Sequence, residues 1–536
     1  MNKWIVLSIF VVAFMLRVIN LGGSPAGFTP DEASFGYDAY SIIKTGHDQW
    51  GMSLPLTFKS FGDFKLPVYT YLTIPSVFIF GLNEFAVRVP NALLGVAAVI
   101  ATYFVTRELF GKRDKRIAIL ATLFMAVSPW HIALSRGAFE ANLTTFFLTA
   151  GIYFFLAARA RQSLLSVAMF FFGLNLFTYH SARLVTPLVV MSMLWIYRAD
   201  FPRTKKYSLA SAIFLLFFVT AAFSVVSGSA GRAATSTVFS QNLGSGVIRA
   251  NVVNSGLQSI FARAIYNEPS FKIVKVVSQY VTYFSPQFLL FEGPHEVTYG
   301  MVPGMGLLSV IEFVGLFGLL LIKNKEKSLS LLFVWIIVGA LPAAISIGPG
   351  HAANRAAILM PAVQILAAYG CYLILTSKKS YEKIFLPIVG FAMLIGVITF
   401  SRFYYEQKTV ANYGMMYGMN ELYSFLQEYP TKRIILSRSL SEAHIYAAFY
   451  DPIDPSLFQQ ATKNWDFESK GLSWVDQQEG YFVGRYKINS IDKIRDFNYN
   501  DTFVVGKPEE MPENARIVKT IMSPAASTLW VVAERP

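Results

Sequence analysis

Long apolar runs separated by short polar stretches set the pattern of this chain. Eleven of them, near residues 4–21, 87–106, 117–135, 141–160, 163–180, 183–198, 207–227, 304–322, 328–347, 355–376 and 384–402, approach the roughly 20 residues a helix needs to cross a bilayer. A twelfth run, Leu66–Leu82, is shorter and begins Leu66-Pro67-Val68-Tyr69-Thr70-Tyr71, so it reads as an interfacial or re-entrant helix. From about 403 the pattern changes. Strand-like runs appear at Arg433–Ser437, Tyr481–Ile488, Thr502–Val505 and Leu529–Ala533, with a helix-like stretch at Ser441–Tyr450. The pattern predicts a polytopic helical membrane part over 1–402 and a small α/β domain over 403–536.

Basic residues give the runs a direction. Lys3, the cluster Arg107, Lys112, Arg113, Lys115 and Arg116, the pair Arg159 and Arg161, the group Arg198, Arg203, Lys205 and Lys206, then Lys323, Lys325 and Lys327, and Lys378 and Lys379 all fall at alternate run ends. Under the positive-inside bias these ends face the cytoplasm. The loops 22–86 and 228–303 and the tail then face outward. The first apolar segment lacks a small-residue cleavage site and reads as a retained anchor.

Composition agrees. Of 536 residues 54% are hydrophobic and 15% charged, against about 25% charged in a soluble domain. The net charge of +13 lies in clusters between apolar runs, which argues against a nucleic-acid partner and for membrane lipid. The single cysteine, Cys371, permits no intrachain disulfide and no thiolate cluster. There is no Walker A loop, HExxH or nucleophile elbow, and the six histidines form no zinc pattern.

The candidate chemistry lies in the outer loops. Asp31-Glu32 follows the first run directly, and carboxylates at a membrane edge are costly without a role. Asp31 is also a good N-cap for a helix over Ala33–Lys44, so capping and catalysis are both open. In the second outer turn Arg136 and Glu140 are four apart, which fits an ion pair on one helical face or a phosphate contact. In the third, Gly348-Pro349-Gly350-His351-Ala352-Ala353-Asn354-Arg355, an arginine at a helix start suits phosphate or headgroups. Arg183 is a similar solitary arginine, and His295 with Glu296 closes the long loop as ligand, base or structural pair.

Taken together these elements resemble the membrane-embedded GT-C glycosyltransferases, in the branch of the protein O-mannosyltransferases and the lipid A aminoarabinose transferase. The resemblance rests on Asp31-Glu32, Lys65-Leu66-Pro67-Val68-Tyr69 with Gly81, Glu84-Phe85-Ala86-Val87-Arg88-Val89-Pro90-Asn91-Ala92, Leu109-Phe110-Gly111, Ser135-Arg136 with Glu140, and His351, Arg355 and Pro361. It covers about residues 1–400. It implies a sugar taken from a polyprenyl-phosphate donor and passed to a hydroxyl on a protein, lipid or glycan, at the outer face of a bacterial plasma membrane. It also implies a catalytic Asp31 supported by Glu32 and inversion by one displacement. Arg136, Arg355 and Arg183, with Glu140, His295 and Lys65, form the candidate donor-binding set. No metal or other cofactor is expected, although clustered carboxylates can hold a divalent cation. Three other readings stay open: a flippase for lipid-linked sugars, a block glycan transferase using a lipid diphosphate, and an outer-face scaffold.

Overall fold

The computed structural model describes residues 3–111, 115–201, 206–226, 237–239, 244–255, 259–294, 300–323, 326–347, 352–377, 379–406 and 415–535. Its first ten helices are α1 (Lys3–Val18), α2 (Pro30–Thr45), α3 (Pro67–Phe80), α4 (Glu84–Phe110), α5 (Lys115–Val127), α6 (Pro129–Arg136), α7 (Leu143–Ala157), α8 (Leu164–Asn175), α9 (His180–Ile196) and α10 (Lys206–Ser224). The later membrane helices are Val310–Gly318, Lys327–Gly339, Ala362–Ser377 and Lys379–Tyr405.

Each of the eleven expected spans coincides with a helix or helix pair. Among the described residues, five segments are long and apolar enough to cross a bilayer: 84–110, 140–157, 327–345, 357–377 and 387–405. The expected span at 117–135 is two helices, α5 and α6, bent by 51° at Ser128-Pro129. Proline removes a backbone donor and forces the break. The carbonyls freed there are taken by buried Arg17 of α1, which donates to Met125 O at 3.1 Å and Ala126 O at 2.9 Å. The remaining helices are shorter. The one expected at 304–322 starts only at Val310, where Ser309 and Glu312 form a capping box. Helices pack closely where side chains vanish: a Cβ on Gly370 would lie 1.8 Å from Gly315 O, so Val310–Gly318 and Ala362–Ser377 meet backbone to backbone.

The loop read as polar over 228–303 contains helices at Ser245–Asn254, Ser259–Ile265 and Glu268–Thr282. They expose Val253, Ile260, Phe261, Ile273, Val274 and Val277. Their interspersed polar residues hid them from a search for continuous apolar runs.

The tail is a mixed six-stranded sheet in the order β4-β5-β3-β6-β8-β7, following a two-stranded hairpin of β1 (Phe58–Lys59) and β2 (Phe64–Lys65) in the first outer loop. Strands β3 (Arg433–Ser437), β6 (Thr502–Gly506) and β8 (Thr528–Glu534) match the expected runs. The run at 481–488 folds back as β4 (Tyr481–Val483) and β5 (Tyr486–Asn489), turning at Gly484 with φ +55. Strand β7 (Arg516–Met522) was not expected. It is an edge strand, largely exposed on both faces, and lacks the alternation that marks a half-buried strand. One hydrophobic core runs through the tail and the loop after α1, joining Phe28, Phe35, Tyr37 and Phe61 to Tyr446, Phe449, Phe458 and Trp465.

Candidate functional site

Helix α2 begins at Pro30, three residues before the expected Ala33. Thr29 is its N-cap, with φ −74 and ψ 157, and Pro30 takes the first helical position. Thr29 and Glu32 form a capping box: Thr29 N donates to Glu32 Oε2 at 2.9 Å, and Glu32 N donates to Thr29 Oγ1 at 3.3 Å. Asp31 is therefore not the cap.

The two acids then diverge. Glu32 is fully buried. Arg88 of α4 grips it through Nε at 2.8 Å and Nη2 at 3.3 Å, and Ala138 N donates to its Oε1 at 3.0 Å. Arg88, also fully buried, donates further to the carbonyls of Leu21, Gly22, Pro25 and Gly27. Glu32 and Arg88 thus lock the loop after α1 onto α4 and the turn after α6. Asp31 points the other way, with 47% of its side chain exposed. Its Oδ1 lies 2.9 Å from Lys65 Nζ, whose side chain is only 3% exposed and sits over the rings of Phe35 and Phe61.

Hydrogen bonds close a ring of segments around this pair. Phe64, beside Lys65, accepts from His180 Nε2 at 3.2 Å. The hydroxyl of Tyr179 accepts from Asn354 Nδ2 at 3.4 Å, and Ala353 O accepts from Trp130 Nε1 at 3.1 Å. The turn after α6, which begins at Trp130's helix, returns to Glu32 through Ala138 N. The segments carrying Asp31, Lys65, Arg183, Arg355 and Arg136 are therefore neighbours.

The arginines differ in what they offer. Arg136 is fully buried and donates to Leu16, Ile19, Asn20 and Ser24 carbonyls at the end of α1. Gly137, at φ −98 and ψ 173, ends its helix, so Arg136 and Glu140 do not share one helical face. Arg355 is half-buried and donates to Ser346 Oγ and Ile347 O, both at 2.9 Å. It lies in a turn ahead of a short 3₁₀ segment, not at the start of the following α-helix. Arg183, in the first turn of α9, is half-buried and donates to Ser224 Oγ at 2.7 Å. His295 and His351 lie outside the described residues.

The tail brings further carboxylates to this edge. Glu442, at the start of the helix Ala443–Tyr450, is 8% exposed, and its backbone N–H donates to Asp476 Oδ2 at 2.5 Å. Burial together with the charges of Asp476 and Asp31 pushes the Glu442 carboxyl up to about 10. Burial likewise pushes Asp476 up and His444 down to about 3. Within α2, Asp38 is enclosed and accepts from Gln49 N at 3.0 Å and Gln49 Nε2 at 3.1 Å. Burial and the charge of Asp48 push it well above the usual carboxylate range.

Sequence reasoning passed over Arg88, Glu442, His444 and Asp476 as site residues. Arg88 carried a signal, because an arginine inside an apolar helix needs a buried partner. The tail residues carried none, since Glu442 and His444 meet Asp476 and Tyr481 only through the fold, across more than 30 positions.

Residues 65–223 match the model of a family described as dolichyl-phosphate-mannose-protein mannosyltransferase. The chain is 29% identical over 217 residues to an uncharacterized protein of Aquifex aeolicus (strain VF5), covering 39% of this chain and 42% of that one. It is 34% identical over 108 residues to the protein named "Putative mannosyltransferase YkcB" of Bacillus subtilis (strain 168), covering 20% of this chain and 15% of that one. The matches thus span less than half the length of either relative. In structure it is similar to ArnT from Cupriavidus metallidurans bound to undecaprenyl phosphate, with a TM-score of 0.56 at 14% identity over 99% of this chain and 98% of that one. The same protein in the apo state gives 0.53 at 12% identity.

Proposed function

We propose, from a chain that has the GT-C fold, that it transfers a sugar from a polyprenyl-phosphate carrier to a hydroxyl acceptor at the extracytoplasmic face of the membrane. The observation that carries this reading is the division of labour in the acidic pair. Glu32 is consumed by Arg88 and the capping box, whereas Asp31 stays open to solvent beside a buried lysine. A carboxylate so placed can accept the acceptor hydroxyl's proton late, as attack on the sugar carbon proceeds and the carrier phosphate departs. Glu32 is a positioning residue in this scheme, because it fixes the first turn of α2.

Arg355 and Arg183, both half-buried, are the proposed cations for the donor phosphate, with Lys65 orienting Asp31. Arg136 shapes the same edge by closing the end of α1. No second carboxylate nucleophile is required if one displacement inverts the anomeric centre. The relatives' names favour mannose as the sugar to try first.

The test is turnover with purified protein, polyprenyl-phosphate mannose in bilayer vesicles and candidate acceptors, scored by released polyprenyl phosphate. Asp31→Asn should insert and fold as the parent does and lose about 10²–10⁴-fold in rate. Near-parental turnover in Asp31→Asn would remove the central assignment. A flippase would instead move the donor between leaflets without releasing the carrier.

A further inference from the structure

The most unusual group of side chains outside the acidic pair lies where the tail meets the outer hairpin. Glu442, His444 and Asp476 each present one donor atom, and the three atoms lie within 4.8 Å of one another. Glu442 and His444 are buried and Asp476 nearly so. Tyr481 OH stands between two of them, 3.0 Å from His444 Nδ1 and donating to Asp476 Oδ1 at 3.2 Å.

Two carboxyl groups face each other in a largely buried space, and the neighbouring cations Arg438 and Lys65 have other partners. Arg438 donates to Asp476 O but pairs its charge with Glu479, and Lys65 pairs with Asp31. Among the described residues no donor reaches the enclosed Glu442 Oε2. A buried carboxyl oxygen is costly to leave bare, so it needs either a proton to share or a cation to hold.

We propose that Glu442, His444 and Asp476 form a divalent cation site within the tail, on the face that packs against the loop after α1. One imidazole with two carboxylates suits a borderline first-row ion, with Zn²⁺ foremost. Tetrahedral bonds of about 2.0–2.2 Å set donor atoms about 3.3–3.6 Å apart, so the three side chains draw inward modestly on binding. The site lies at a junction that the ion would brace. Val475, next to Asp476, donates its N–H to Phe61 O at 2.7 Å, and the ring of Phe61 packs edge-on against His444 at 5.6 Å. Phe61 in turn underlies Lys65, the partner of Asp31. The ion's role is structural, and this inference does not depend on the transferase reading.

The test is metal binding by the full-length protein in detergent, read without any turnover assay. After exhaustive chelation, Co²⁺ should bind at about one equivalent with the visible absorption of a low-symmetry site, and Zn²⁺ should displace it. Zn²⁺ should also raise the melting temperature of the parent protein and leave His444→Gln and Glu442→Gln unmoved. Absence of Co²⁺ absorption and of any Zn²⁺-dependent shift in the parent would overturn the proposal. In that case a Glu442→Gln variant at least as stable as the parent would identify a shared proton as what balances the two carboxylates. Because the decisive readings are made on the parent protein, a variant that fails to fold does not blunt them.

Discussion

Adjacent residues of the same chemical type can do unrelated work when a helix turns them to different sides. Asp31 and Glu32 are consecutive, yet one is half-exposed and the other sealed against Arg88. Removing Glu32 leaves a buried guanidinium without its anion, so Glu32→Ala should lower stability by about 3–5 kcal/mol. Asp31→Asn, at a half-exposed pair, should change it by about 0–1 kcal/mol. Thermal unfolding of the two variants beside the parent checks this contrast, and equal losses would show that the burial difference has no energetic meaning. Asp38 makes a second prediction at this scale. Its folded-state pKa is raised, so the folded chain binds more protons than the unfolded chain above pH ~4, the ordinary carboxylate value. Stability should fall as pH rises from there to the raised value. Asp38→Asn keeps a neutral side chain, and a flip of the Gln49 amide preserves both hydrogen bonds. Its melting temperature should vary less than the parent's over pH 4 to 8.

Besides packing aromatic side chains, some elements meet through close backbone contacts. At Gly62, between β1 and β2, an added Cβ would lie 2.1 Å from Ser473 O and 3.1 Å from Trp474 Cα. Backbone atoms cannot swing aside as a side chain can. Gly62→Ala should therefore cost about 1–3 kcal/mol and loosen the hairpin from the tail. Faster proteolysis at the hairpin with unchanged membrane insertion is the expected result, and parental protease resistance would contradict it. Periodicity made most elements legible. The membrane helices and strands β3, β6 and β8 bury enough of their surface to leave a continuous or alternating pattern. The helices within 244–282 and the edge strand β7 leave no such pattern, because much of their surface is exposed. The bend between α5 and α6 was written as Pro129, but its tolerance depends on Arg17 arriving from α1 to cover the freed carbonyls.

At the scale of the molecule, the membrane part and the tail share one hydrophobic core. Tyr446 OH donates to Phe28 O at 2.6 Å, Tyr37 OH donates to Ile453 O at 2.8 Å, and Phe28 packs on Phe449 at 4.8 Å. The segment that bears Asp31 is held on one side by Arg88 and on the other by the tail. A chain truncated after residue 406 should insert its membrane helices but leave α2 unprotected in hydrogen exchange. A truncated protein with parental protection in α2 would show that the tail contributes nothing to the site's order.

The sequence alone carried the integral-membrane architecture, the change to a sheet-forming tail, and Asp31-Glu32 as the place to look. Those features are local: an apolar run long enough to cross a bilayer, an alternation, or a charge at a membrane edge is complete within a few tens of residues. Only the tertiary structure decided which acid of the pair stays open, that Thr29 caps α2, that Arg136 is enclosed at the end of α1, and that Glu442, His444 and Asp476 converge beside Asp31. These depend on contacts between positions tens to hundreds of residues apart, and burial by a distant segment leaves no mark on the local pattern.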